Sequence, residues 1–169
     1  HRYDQSKIST AQKFARAYGC EGIWTPADAY KNGRSGGVAI LAKSPLTVYR
    51  GKEEGHNRMI VGAIQWTRKH RLNLLSIYGY DSGHPNHFEG NTNLYAEISK
   101  ITQTLGRTPW LVAGDFNSTP EEGGTVFKHE HIICTNKDTH IQGREIDWGL
   151  RSLSLNSVTC HLRTSVPEE

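Results

Sequence analysis

Residues 109–119, PWLVAGDFNST, constrain the fold more than any other stretch of the chain. An apolar run of strand length leads into Gly114 and then into an acid, Asp115, and an amide, Asn117, with Pro109 confined to its first residue, where a strand tolerates proline. Such a run reads as a buried strand. Side chains alternate along a strand, so Asp115 and Asn117 are expected on one face, with Gly114 and Phe116 on the other. A carboxylate beside a carboxamide at a strand end supplies a hard oxygen ligand or base next to a neutral hydrogen-bond donor, the pairing that metal-assisted attack on a phosphate requires. The alternative is an Asx-type turn, in which both side chains satisfy local backbone donors where the strand stops.

The remaining pattern is one of strands with interspersed helices. SKISTAQKFARAY (6–18) places Ile8, Ala11, Phe14, Ala15 and Tyr18 near helical spacing, with Gly19 as the stop. After NGRSGG, whose glycines mark a turn or a close backbone approach, VAILAK (38–43) reads as a buried strand. MIVGAIQWT (59–67) and LNLLSIYGY (72–80) read as two further strands joined as a hairpin through RKHR. DSGHPNHFEGNTN, rich in Gly, Asn and His, is expected to be a long functional or mobile loop. It leads into a helix over 94–105, where Leu94, Ile98, Ile101 and Leu105 recur at spacings of four, three and four. TPEEGGTVF allows a short helical turn with Pro120 near its first position, and HIICT, IDWGLRS and SVTCHL complete the strands.

A chain of 169 residues suits one globular domain, and residues 1–169 are expected to form one. The formal charge of +3 suits a polyanionic partner, though many enzymes share it. Cys20, Cys134 and Cys160 are odd in number and far apart, which argues against a disulfide framework or a zinc ribbon and for a reducing, intracellular location, the nucleus included. No apolar run approaches the roughly 20 residues that cross a bilayer, so no membrane partner is expected. HEH at 129–131 lacks the further ligands zinc demands and reads as a polar strand edge.

GDFNSTPEE resembles the most recognisable motif of the endonuclease/exonuclease/phosphatase family, the superfamily of DNase I-like enzymes. Three further segments agree in order and spacing: SGGVAIL (35–41), LNLLSIYGYDSG (72–83), and REIDWGLRS (144–152), in which Trp148 stands where the family usually has Tyr. The resemblance implies an α/β fold, a four-layered α/β/β/α sandwich with the active site at one end of the sheets. It implies that Asp115 polarises or deprotonates the attacking water and is the metal-binding residue, and that Asn117 holds that water or a phosphate oxygen. Tyr78 would donate a hydrogen bond to the phosphate, and Asp81 would touch substrate or metal, unless it only forms a turn. Asp147 would orient a catalytic histidine, with Arg144 as a pairing partner. The implied cofactor is Mg2+ or Mn2+, and the implied partner is nucleic acid, DNA in preference to RNA, bound by a monomer.

Two expected parts of the family pattern are not matched. Neither Asp4 nor Glu21 sits in the context of the family's metal-binding glutamate, and no Ser-Asp-His motif follows Asp147; His161 has no preceding Ser-Asp. With His1 rather than Met at the start, the chain is expected to be incomplete at both termini, a domain lacking its first strands and its last. The activity expected of the parent is divalent-metal-dependent phosphodiester hydrolysis by a nuclease of retroelement type. The alternatives are a catalytically inactive fragment or nucleic-acid-binding remnant, or a family phosphatase acting on a non-nucleic phosphoester.

Overall fold

The computed structural model describes residues 5–30, 33–51, 57–65, 67–123, 125–128, 131–133 and 146–155. The chain divides into two compact units, His1–Tyr78 and Gly79–Glu169.

In the first unit, helix α1 (Gln5–Ala17) buries Ile8, Ala11 and Ala15. Phe14 and Tyr18 stay largely exposed and pack on each other with ring centroids 4.8 Å apart, so the buried stripe is narrower than the spacing suggested. Gly19, at φ 72°, stops the helix. Strand β1 (Cys20–Trp24) pairs antiparallel with β4 (Ala39–Lys43), and β2 (Ala27–Tyr30) with β3 (Gly33–Gly36). Strands β5 (Thr47–Arg50), β6 (Met59–Gln65) and β7 (Arg71–Tyr78) form an antiparallel ladder in that order. The expected β6–β7 hairpin is present, with its turn at residues 67–70.

Ile23 from β1 and Ile40 from β4 pack with Val48, Ile60, Leu74 and Tyr78 from the ladder around one apolar cluster. Gly62 makes this approach possible: a Cβ there would lie 2.6 Å from Ile23 Cδ1. Strands β1, β2, β3 and β5 have no counterpart in the sequence reading. Their residues, such as CEGIW and GRSG, carry glycine or charge where alternation would be read, and pairing of β1 with β4, β5 with β6 and β2 with β3 supplies the order instead.

In the second unit, helix α2 (His87–Leu105) starts at His87 and not at Leu94, so the expected thirteen-residue loop is about half helix. HFEGNTN reads as loop because Gly and Asn are poor helix formers, and tertiary contacts override that preference. Gly90 lies flat against Tyr80, whose ring carbon would be 2.5 Å from an added Cβ, and Asn91 is buried and bonded to the Tyr80 backbone. Strand β8 (Trp110–Asp115) is followed by the short helix α3 (Pro120–Gly123), β9 (Ile132–Ile133) and β10 (Asp147–Arg151). Strand β10 pairs antiparallel with both β8 and β9.

Helix α3 starts with a capping box: Thr119 N–H donates to Glu122 Oε2 at 2.7 Å, and Glu122 N–H donates to Thr119 Oγ1 at 3.4 Å. Pro120 takes the first helical position, where its missing N–H costs nothing. The strand expected at SVTCHL, together with Arg144, Cys134, Cys160 and His161, lies outside the described residues. No helix among the described residues is long and apolar enough to cross a membrane.

Candidate active site

Asp115 is the last residue of β8 and Asp147 the first of β10, and the two are direct partners in the antiparallel register. The next pair outward, Phe116 and Ile146, is joined by a backbone hydrogen bond, Phe116 N–H to Ile146 O at 2.9 Å. Hydrogen-bonded and non-hydrogen-bonded pairs alternate along such a ladder, which makes Asp115–Asp147 a non-hydrogen-bonded pair, the type whose Cα atoms approach to about 4.5 Å and whose side chains lie closest. Two partly buried carboxylates therefore leave the ladder side by side.

Asn117 does not continue the strand. Its φ of 52° puts it in the left-handed region, which asparagine tolerates better than most residues. The strict alternation that would align Asp115 with Asn117 thus ends at Asp115. The turn itself brings the two residues together: Asn117 N–H donates to Asp115 Oδ1 at 2.8 Å, an Asx turn. The Asn117 side chain donates through Nδ2 to Gly79 O at 3.0 Å, while Gly79 N–H donates to Asp115 O at 2.7 Å. A carboxamide has two N–H hydrogens and an acceptor oxygen, so one hydrogen is committed to the scaffold. No side chain fits at Gly79, where a Cβ would lie 2.0 Å from Phe116 O.

An aromatic cluster supports this turn from below. Phe116 stacks on Trp148 with centroids 3.7 Å apart and planes 17° from parallel, and both rings are fully buried. Trp148 Nε1–H donates to Ser118 O at 2.8 Å. Tyr95 donates its hydroxyl to Phe116 O at 3.2 Å and shares a short hydrogen bond with Ser118 Oγ. Burial pushes the Tyr95 phenol up to about 12, a shift that the bond to Ser118 only partly opposes. Of these supporting residues, the sequence drew attention to Phe116 and Trp148 but not to Tyr95 or Ser118. The signal for Tyr95 was its position one turn from Ile98 on the buried face of α2.

Asp81 forms a turn: its Oδ1 accepts the Gly83 N–H at 3.0 Å and its carbonyl accepts the His84 N–H at 2.9 Å. Just before it, Asn91 grips the Tyr80 backbone from both sides, with Oδ1 accepting the N–H at 2.8 Å and Nδ2 donating to the carbonyl at 2.9 Å. Tyr78 belongs to the first unit, where it is partly buried, packs on the Val38, Ile40 and Ile60 cluster, and lies under the Arg58 guanidinium, 5.4 Å from the ring centroid. Of the HEH segment, His131 is described, and its ring lies 5.5 Å from Trp110 with Nδ1 bonded to Arg151 O at 2.8 Å.

No cluster of three or more His, Cys, Asp or Glu suited to a metal occurs among the described residues. The donors present still fit magnesium, which keeps most of its waters and is held by one or two carboxylates together with substrate phosphate. Asp115 and Asp147 provide two such carboxylates in adjacent positions.

Residues 3–135, well over half of the chain, match the Endonuclease/Exonuclease/phosphatase family, and the protein belongs to that family. Members of this family typically use divalent metals. Among solved structures, the chain is similar to the catalytic domain of human nocturnin with a bound sulfate anion, at 17% identity and a TM-score of 0.58, covering 86% of this chain and 65% of that one. It is also similar to the endonuclease domain of TRAS1, a telomere-specific non-LTR retrotransposon, at 13% identity and a TM-score of 0.58, covering 94% of this chain and 83% of that one. The 3'-5' exonuclease NExo from Neisseria meningitidis matches at 16% identity and a TM-score of 0.59, over 92% of this chain and 75% of its own. At these identities the likeness shows the fold. The chain spans just under two thirds of the nocturnin domain. No curated protein sequence matches significantly.

Proposed function

We propose that this protein is a divalent-metal-dependent phosphodiester hydrolase acting on nucleic acid, DNA in preference to RNA, of the retroelement endonuclease type. The finer architecture that goes with this reading is the four-layered α/β/β/α sandwich. The observation that carries it is the Asp115–Asp147 pair beside the Asn117 turn. Two carboxylates at neighbouring positions concentrate the negative charge that attracts a divalent cation.

Asp115 and Asp147 would hold Mg2+, which when bound supplies Lewis-acid polarisation of a phosphoryl oxygen. Asp115 accepts the proton of the attacking water or aligns it through the carboxylate oxygen not used in the Asx turn. Asn117 directs its second amide hydrogen to a phosphate oxygen, held steady because the first is fixed on Gly79 O. By the family resemblance, Tyr78 is read as a further residue that donates a phenol hydrogen to phosphate. Water attacks phosphorus in line with the departing sugar oxygen, which takes up a proton from solvent as its bond to phosphorus breaks. The mildly basic chain, at +3, favours a polyanion over a neutral substrate.

The reading is tested by incubating the folded protein with plasmid DNA, structured RNA, and phosphomonoesters, with magnesium or with a chelator. Magnesium-dependent nicking of DNA, faster than turnover of the other substrates, is expected. Preferential release of phosphate from monoesters would redirect the assignment to a phosphatase, and salt-sensitive DNA binding without cleavage would reduce it to a binding remnant.

A further inference from the structure

Arg58 is only 2% exposed, an uncommon state for an arginine, and its guanidinium lies against both Tyr78 and Ser35. Its guanidinium carbon lies 5.4 Å from the centroid of the Tyr78 ring, within cation–π range. Nη1 lies 3.4 Å from the Tyr78 carbonyl oxygen, and the Arg58 carbonyl accepts the Tyr78 N–H at 2.8 Å. Backbone, ring and carbonyl of Tyr78 all meet the same arginine. The guanidinium is in turn anchored by Nη2, which donates to Ser35 Oγ at 2.6 Å, and Ser35 is itself buried.

The glycines after Ser35 explain how a serine reaches that spot. Gly36 and Gly37 have φ of 81° and 78°, which most residues avoid, and Gly37 N–H donates to Asn57 O at 2.6 Å. A Cβ on Gly36 would lie 2.9 Å from Asn57 O and 3.3 Å from Arg58 Cγ. The Ser-Gly-Gly turn is thus folded directly onto Asn57 and Arg58. Burying a guanidinium is costly, and hydrophobic residues of similar volume would fill the space at lower cost.

We propose that Arg58 is a positioning residue for Tyr78: anchored on Ser35, its buried guanidinium clamps the ring and backbone so that the phenol is aimed at a bound phosphate before substrate arrives. This rests on the reading of Tyr78 as a phosphate-contacting residue. The clamp explains why a tyrosine at a strand end can act as a fixed donor, since a ring that lies under a buried cation and packs against apolar side chains has little rotamer freedom.

The test compares magnesium-dependent DNA cleavage by Tyr78→Phe, Ser35→Ala, Arg58→Lys, and the double variant of Ser35→Ala with Tyr78→Phe, each checked for folding by thermal denaturation. Tyr78→Phe is expected to lower kcat about tenfold or more, the worth of one hydrogen bond to developing charge. Ser35→Ala and Arg58→Lys are expected to lower kcat about threefold each, with KM unchanged, and the double variant should be no slower than Tyr78→Phe alone. Additive losses, or unchanged kcat in both Ser35→Ala and Arg58→Lys, would overturn the clamp. Unchanged cleavage in Tyr78→Phe would instead remove the role of Tyr78. A second measurement is independent of turnover: NMR ring-flip rates of Tyr78 should rise about tenfold in Ser35→Ala, and equal rates would also overturn the proposal.

Discussion

Asp115 and Asp147 face each other across the antiparallel pair β8–β10, in a non-hydrogen-bonded position where neighbouring side chains come closest. Like charges so placed weaken a sheet by roughly 0.2–1 kcal/mol, and a bound cation removes the penalty. Asp147→Asn is therefore expected to lose most of the stabilisation that the wild type gains on adding magnesium. Urea denaturation with and without magnesium measures the effect.

Asn117 combines a left-handed backbone with a side chain bonded to Gly79 O. The two contributions separate by substitution. Asn117→Ala loses the bond and gains backbone strain, for about 2 kcal/mol in total; Asn117→Gly loses only the bond, for about 1 kcal/mol. Glycine should thus be the more stable variant, and both should cleave poorly. Equilibrium denaturation beside the cleavage assay separates the structural from the functional loss.

Gly79 has no room for a methyl group, with Phe116 O only 2.0 Å from the position a Cβ would take. Gly79→Ala must displace the backbone that carries the Asp115 turn. A destabilisation of about 3 kcal/mol or more is expected, seen as a lowered denaturation midpoint.

How much of this was legible in the sequence depends on whether the signal was local. Strands β6, β7, β8 and β10 carry dense apolar runs, and all were expected near their observed bounds. The first seven residues of α2 were not, because their helicity comes from Gly90 packing on Tyr80 and Asn91 bonding to its backbone, contacts across a turn that no propensity encodes. The polar end of β8 was recognised, and the register that sets Asp147 beside Asp115 was not, since register follows from pairing of strands 32 residues apart in the chain. The strand alternation offered for Asn117 failed for a local reason: its φ is positive, and the strand ends two residues earlier, at Asp115. Ser35 and Arg58 drew no attention as a pair, because nothing in SGG or HNR alone says that they meet.

Tyr95 supplies a pH dependence. Its phenol is pushed by burial from 10.0 to about 12, so the folded state favours the protonated form. The stability this gives is fully present below pH 10 and is lost as the pH rises through about 12, a difference of roughly 3 kcal/mol. Tyr95→Phe should flatten the alkaline limb of a stability–pH curve while lowering stability at neutral pH, through loss of the bonds to Phe116 O and Ser118.

The central claim, that the paired carboxylates on β8 and β10 work with a divalent ion to break a phosphodiester, is tested most directly by one titration. The initial rate of DNA nicking is measured against magnesium concentration for the wild type, Asp115→Asn and Asp147→Asn, all with intact thermal transitions. Asparagine at 115 can still accept the Asn117 N–H, so the Asx turn survives the change. A saturable magnesium dependence in the wild type, and a fall of about a hundredfold or more in both variants, is the expected result. Nicking by either variant at the wild-type rate would contradict the claim.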